Sequence, residues 1–368
     1  MYFENCIMAV VVIHASRDSG GIANASVSHT HGLICAGVPA ELWTASESAA
    51  RLARSLNIPV VQHPAVFEPL LPLLTSQLWR RRNDVGPVKA VLHQSAKSRW
   101  WGWAMWPNAV HAVRFPNRKL RSRRLYKNWL AMSTRHAETL SAERTLGLIK
   151  HRVAIVRNGA SQTIAQININ KRTFRADGRF IIGGLGALSH RKGQDLLIVA
   201  LKKLRDQGID AYLRLGGEGE SEQDLRNQAD ALGMTNHVEF LGWVEASAFL
   251  ASLDVFCLPS RHEPFGIVVV EALAMGLPVV ASDTYGPANI LEDGSGIIVP
   301  IDDAAALADV LARLAIDRAL AEKLSKAATA RSQNAYAPEA VGRQLIAAFR
   351  QFGADMPVHN PAKTNFCE

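Results

Sequence analysis

Glu263 and Glu271 stand eight residues apart in the stretch Arg261–Ser282, RHEPFGIVVVEALAMGLPVVAS. Between them Pro264, Phe265 and Gly266 form a turn signal, and Ile267 opens an apolar segment of helical length. A helix starting at that turn would present unpaired backbone N–H groups and its positive dipole end beside Glu263. Phosphates favour such an end, whereas hydroxyls favour a carboxylate acceptor. A ligand carrying both, of which a nucleotide sugar is one example, fits this arrangement.

Lys192 is a second candidate. It precedes Gly193 at an expected strand-to-helix turn, where an ammonium can neutralise a diphosphate while helix amides cap it. Gly20 and Gly21 follow an expected first strand, and Gly216, Gly217 and Gly219 surround Glu218 after another. Glycine pairs alone mark any tight turn. No Asp-x-Asp triplet occurs, which argues against a metal-chelated diphosphate, and no metal site is expected.

The elements that would position these residues alternate between strand and helix, the pattern of parallel α/β architecture. In the first half the strand candidates are Ile7–His14, Ile58–Gln62, Val88–His93, Trp129–Ser133 and Val153–Val156. Helices are expected at Ile22–Ala36, Ala45–Ser55 and Thr134–Leu146. A polar, aperiodic stretch from Asn158 to Gly178 reads as an interdomain linker. In the second half the strands are Arg179–Gly183, Tyr212–Gly216, His237–Leu241, Val255–Pro259, Pro278–Ser282 and Gly296–Pro300. Helical patterns lie between them at Gly193–Arg205, Glu220–Ala231, Glu245–Ala251, Ile267–Met275 and Ala304–Ala315. That succession predicts a Rossmann-like doubly wound sheet.

At 368 residues and 48% hydrophobic, the chain can form two cores. No apolar run reaches membrane-span length, and Ile7–Ile13, with no basic segment before it, reads as a strand rather than a leader. The four cysteines, Cys6, Cys35, Cys257 and Cys367, lack metal-type spacing and suit a reduced cytoplasm. The net charge of +8 is unevenly divided: residues 1–165 hold 21 Lys+Arg against 8 Asp+Glu, and residues 166–368 hold 20 against 25. Arg114–Lys127 carries seven basic residues, Arg80–Arg82 three more, and Trp100, Trp101, Trp103 and Trp106 lie between. Basic charge beside Trp suits either an anionic headgroup surface or a solvated charged face over packed indoles.

EPFGIVVVEALAMGLPVVAS resembles the Glu-x7-Glu signature of the retaining glycosyltransferases of family 4, the glycosyl transferases group 1. The surrounding segments are similar in type and spacing: Ser19–Gly21, Ala131–Ser133, Val156–Gly159, Gly186–Gly193, Gly216–Glu220 and Glu239–Val244. The resemblance is strong over the C-terminal half and loose over the N-terminal half. It implies the GT-B fold, two Rossmann-like doubly wound domains facing a cleft. The expected division is 1–165 for the acceptor, 166–337 for the nucleotide sugar, 338–353 as a helix crossing back, and 354–368 as a frayed tail.

The resemblance also implies roles. Glu263 would lie at the transferred sugar and Glu271 would accept hydrogen bonds from the nucleotide ribose. The backbone of Pro264, Phe265, Gly266 and Ile267 would hold sugar hydroxyls and phosphate. Gly20 and Gly21 would approach the phosphates, and Gly217, Glu218 and Trp243 would line the base pocket. Where the family has Arg after the glycine corresponding to Gly186, this chain has Ala187. Either Arg191 replaces that charge or one phosphate contact is weaker. Many relatives also carry a histidine near the reacting carbon; here His93 and His111 are the candidates, while Arg114, Phe115 and Pro116 occupy the expected place.

The resulting expectation is a retaining hexosyltransferase without cofactor, using a UDP- or GDP-sugar and a lipid-linked or oligosaccharide acceptor. Lipopolysaccharide or exopolysaccharide assembly fits the basic half, with a cytoplasmic location at an anionic membrane surface on the inner face of the plasma membrane. No nucleic-acid partner is expected. The rivals are a transferase with a small soluble acceptor, a degenerate transferase that binds nucleotide sugar without reacting, and a non-catalytic basic binding module for membrane or nucleic acid.

Overall fold

The computed structural model describes residues 8–17, 21–63, 76–85, 88–94, 105–114, 129–133, 153–159 and 178–358. Gly20, Trp100, Trp101, Trp103, the basic run from Phe115 to Lys127, the expected helix Thr134–Leu146 and most of the expected linker lie outside them. The chain divides into two compact units, Met1–Gly159 with Ala335–Glu368, and Ala160–Asn334.

The first unit is built on β1 (Val10–His14), α1 (Gly21–Cys35), β2 (Ala40–Thr44), α2 (Glu47–Ser55), β3 (Val60–Gln62), α3 (Ser76–Val85), β4 (Ala90–His93), β5 (Val110–Arg114), β6 (Trp129–Ser133) and β7 (Val153–Ile155). The strands form one sheet in the order β3-β2-β1-β4-β5-β6-β7 with parallel pairing throughout. Every residue of β1 and β2 is buried, as a sheet covered on both faces requires. β2, β5 and α3 were not anticipated from sequence. Polar residues interrupt both strands: Glu41 is buried in β2, where its carboxylate accepts the Trp43 indole N–H at 2.9 Å, and His111 is buried in β5.

The second unit contains β8 (Phe180–Leu185), α4 (Gln194–Asp206), β9 (Ala211–Gly216), α5 (Glu222–Ala231), β10 (Val238–Phe240), α6 (Ala246–Ala251), β11 (Val255–Leu258), α7 (Ile267–Ala274), β12 (Val279–Ser282), α8 (Tyr285–Ile290), β13 (Ile297–Val299), α9 (Ala304–Ile316) and α10 (Arg318–Arg331). Its six parallel strands run in the order β10-β9-β8-β11-β12-β13. Leu197, Leu201, Leu213, Val255, Leu307 and Leu311 are buried in its core, each worth roughly 1.5–3 kcal/mol relative to exposure. α9 and α10 start where Asp303 and Asp317 accept backbone N–H bonds at their N-caps. The expected strands all occur, whereas α8 and α10 were not anticipated.

The last helix, α11 (Pro338–Gln351), belongs to the first unit and buries Val341, Leu345 and Phe349 against α1. The two helices cross at Gly32 and Gly342, where a Cβ on Gly342 would lie 1.9 Å from the Gly32 carbonyl oxygen. Only glycine permits that approach. The tail expected to fray from residue 354 instead continues into this core: Ala354 and Met356 are buried, because both are apolar and meet the α11 end. Residues 359–368 lie outside the described part.

Candidate functional site

In the second unit the chain leaves β8 toward β9 and β10, then returns to place β11 on the other side of β8. The loops after these neighbouring strands therefore run in opposite directions at the carboxyl edge, which opens the crevice used by ligands of doubly wound sheets. Lys192 stands in the loop after β8 and Glu263 in the loop after β11. Although 71 residues apart in sequence, Lys192 Nζ and Glu263 Oε2 lie 2.6 Å apart, with side chains 14% and 10% exposed.

Local structure fixes both. Residues His190–Lys192 form one 3-10 turn, and Gly193, at φ 71°, reverses the chain into α4. A Cβ there would stand 2.1 Å from the Pro259 carbonyl oxygen, so the two loops touch through backbone at this point. On the other side Gly266, at φ 86°, starts α7, and the carbonyl of Glu263 accepts the Gly286 N–H at 3.1 Å. Pro264, Phe265 and Ile267 are partly exposed between them. Arg191 is exposed, donates from Nη1 to the His262 carbonyl at 2.9 Å, and has no carboxylate partner among the described residues. Ala187, in the loop before them, brings no charge.

Glu271 lies on α7 and is 7% exposed. Burial, with the negative charge of Glu245 adding to it, pushes its carboxyl up to about 7. Beside this, the loop after β9 is laced to its neighbours: Gly217 donates to the Gly242 carbonyl at 2.6 Å, and Leu188 donates to the Glu218 carbonyl at 2.9 Å. Glu218 is exposed. Trp243, expected to line a pocket, is 81% exposed.

The structure thus gathers Lys192, Arg191, Glu263 and the Gly266 turn, with Glu271 on the helix that the turn begins. The histidines are different. His93 and His111, candidates for a place near a reacting carbon, are 0% and 2% exposed in the first unit. His93 Nε2 and His111 Nδ1 lie 3.0 Å apart, and His111 Nε2 donates to the Trp106 carbonyl at 2.9 Å. The two rings thus meet each other and the Trp106 backbone in the interior of the first unit. Gly21 opens α1, while Gly20 lies outside the described residues. Sequence reading also missed Arg261, whose guanidinium meets Asp195 and Asp302; nothing in its spacing signals that pairing. No cluster of three metal-ligating side chains occurs among the described residues.

The lipopolysaccharide core biosynthesis glycosyltransferase LpsE of Rhizobium meliloti is 36% identical over 148 residues, 40% of this chain and 42% of the relative. The phosphatidyl-myo-inositol mannosyltransferase of Mycobacterium leprae is 44% identical over 138 residues, 36% of each chain. The chain thus spans less than half the length of these curated relatives. The crystal structure of HepE from Anabaena in complex with UDP and glucose superposes with a TM-score of 0.70 at 20% identity, covering 93% of this chain and 99% of that one. That likeness shows the GT-B fold of two parallel-sheet units. Residues 166–331, which carry Lys192, Glu263 and Glu271, match the family model of the glycosyl transferases group 1.

Proposed function

We propose that the chain is a retaining, metal-independent glycosyltransferase that moves a hexose from a UDP- or GDP-sugar to a lipid-linked or saccharide acceptor. The observation that carries this reading is the Lys192–Glu263 pair at the switch point of a doubly wound sheet, with the uncompensated charge of Arg191 beside it. Lys192, Arg191 and the first amides of α7 would receive the charge that develops on the leaving nucleoside diphosphate. Arg191 then stands in for the cation that Ala187 does not provide. Glu263, once its lysine turns to phosphate, would accept hydrogen bonds from the sugar hydroxyls, and Glu271 from the ribose.

In the reaction the bond between the anomeric carbon and the phosphate oxygen breaks, and the bond to the acceptor oxygen forms on the same face. The acceptor proton passes to the departing phosphate oxygen, so no buried histidine need take it. Relatives named for lipopolysaccharide core and phosphatidyl-inositol chemistry support an acceptor with a lipid anchor. The basic excess of residues 1–165 supports an anionic membrane surface, and no described helix is long and apolar enough to cross a membrane. A peripheral enzyme on the cytoplasmic face, serving lipopolysaccharide or exopolysaccharide assembly, combines these features.

Calorimetric titration with a panel of UDP- and GDP-sugars tests the reading. One nucleotide class should bind at micromolar levels to the wild type and at least tenfold more weakly, though still measurably, to Lys192→Ala. Absence of binding to a folded wild type would overturn it. Anionic vesicles should bind the protein and raise turnover; indifference to vesicles would point to a soluble acceptor instead.

A further inference from the structure

Arg261 lies between the two halves of this site, in a basic neighbourhood of His190, Arg191, Lys192 and His262. Its position suggests one more phosphate ligand. Its bonds say otherwise. Nη1 and Nη2 grip Asp195 in a fork at 2.8 and 2.7 Å, Nη1 also donates to the His190 carbonyl at 2.7 Å, and Nε lies 2.6 Å from Asp302. Four of the five guanidinium N–H groups are engaged. Two carboxylates answer one positive charge, so Arg261 brings no uncompensated charge to a phosphate.

What these bonds join is specific. Asp195 is in the first turn of α4, directly behind the turn that carries Lys192. Asp302 is in the loop after β13 and adopts a left-handed backbone at φ 60°. The Arg261 backbone N–H donates to the Arg191 carbonyl at 2.9 Å, and Arg191 returns a bond to the His262 carbonyl. Three loops at the carboxyl edge thus converge on one side chain, and Lys192 and Glu263 sit one and two residues from its points of attachment. Burial pulls the Asp195 carboxyl up, but Arg261 holds it below its usual range, and Arg261 in turn is held above its own by Asp195.

We propose that Arg261 is the positioning residue of the nucleotide-sugar site: it does not touch the ligand, but clamps the loops after β8, β11 and β13 so that Lys192 and Glu263 meet the diphosphate in fixed register. This rests on the donor-site reading given above. A lysine cannot replace it, because an ammonium lacks the planar fork that spans Asp195 while reaching Asp302. Asp195 and Asp302 are therefore part of the same device.

A double-mutant cycle of UDP and GDP binding, followed by calorimetry on the full chain, tests this. Arg261→Lys should weaken binding of the preferred nucleotide about tenfold in the wild-type background. In Lys192→Ala the same change should alter affinity less than twofold, because the clamp acts through Lys192. Asp195→Asn, which keeps part of the fork, should fall between wild type and Arg261→Lys and secures the result should the arginine variant fold poorly. Equal losses in both backgrounds would mean that Arg261 contacts phosphate itself or only stabilises the unit, and would overturn the proposal. Failure of the wild type to bind either nucleotide would overturn the donor-site reading as well, so the two failures are distinguishable.

Discussion

Lys192 Nζ rests 2.6 Å from Glu263 Oε2, so the site neutralises its own lysine. A diphosphate must draw Lys192 away from that carboxylate. Replacing Glu263 by Gln removes the competing charge but leaves a side chain of the same shape. Nucleoside diphosphate affinity should then rise several-fold, as a competitor worth about 1 kcal/mol would predict. Turnover of the nucleotide sugar should nevertheless fall about a hundredfold or more, since preorganised polar groups at a reacting centre are worth on the order of 3 kcal/mol. Calorimetry with UDP and GDP beside a turnover assay separates the two effects. A parallel loss of affinity and turnover would show that Glu263 only shapes its loop.

Glu271 gives the site a pH dependence. Burial first, and the charge of Glu245 second, push its carboxyl up to about 7. A ribose hydroxyl donates more strongly to the carboxylate than to the neutral acid. Nucleotide affinity should therefore increase from pH 6 to pH 8, and Glu271→Gln should flatten that rise. Stability moves the other way in the ligand-free protein. The folded carboxyl keeps its proton up to about 7 while the unfolded one releases it near its ordinary value, so this group's contribution is full at low pH and declines across that interval. The increase in Tm caused by bound nucleotide should grow with pH, which differential scanning calorimetry reads directly.

Much of the second unit was legible because β11 and β12 are short apolar runs flanked by turn residues, the pattern of strands buried on both faces, and β8 and β9 each run into a glycine turn. The first unit was less so. Glu41 and His111 break the apolar runs of β2 and β5; Glu41 is made tolerable by the Trp43 indole two residues on, and His111 by the nearby Trp106 carbonyl and by His93 on the neighbouring strand. α8 is masked in sequence by Gly286 and Pro287, which read as a turn although Pro is well suited to a first helical turn. Within the site, the types of Lys192 and Glu263 could be read, but their meeting depends on β11 lying beside β8, a long-range choice. Arg261 was opaque for the same reason, since Asp195 and Asp302 reach it from two other loops.

The His93–His111 pair has a consequence for stability. A carbonyl only accepts, so His111 Nε2 carries the hydrogen toward Trp106, and His111 Nδ1 accepts from His93 Nε2. A second proton on His111 Nδ1 would face the one on His93 Nε2. Burial lowers the pKa of His93, and the proximity of His111 lowers it further; burial also lowers that of His111, against the pull of the Trp106 carbonyl. The unfolded histidines protonate near pH ~6.5. Stability is therefore full above that value and is lost as pH falls below it toward the depressed folded values. The thermal transition of the first unit should move down between pH 7.5 and pH 5.5, and His93→Gln with His111→Gln should reduce the shift. Transitions that are all independent of acid over that range would contradict this.

Gly193 and Gly208 separate backbone strain from steric collision in the proposed site. Both have left-handed backbones, at φ 71° and 77°. A Cβ on Gly208 meets nothing within 4 Å, whereas one on Gly193 would stand 2.1 Å from the Pro259 carbonyl oxygen. Gly208→Ala should cost only the left-handed penalty, roughly 1–2 kcal/mol, and leave nucleotide affinity unchanged. Gly193→Ala carries the same penalty and must also part the loops after β8 and β11. Backbone cannot swing aside as a side chain can, so the separation would pass directly to Lys192 and Glu263. Nucleotide affinity should fall at least tenfold in Gly193→Ala while its loss of stability exceeds that of Gly208→Ala. If both variants bound nucleotide as the wild type does, the contact between the two loops would have no part in forming the site.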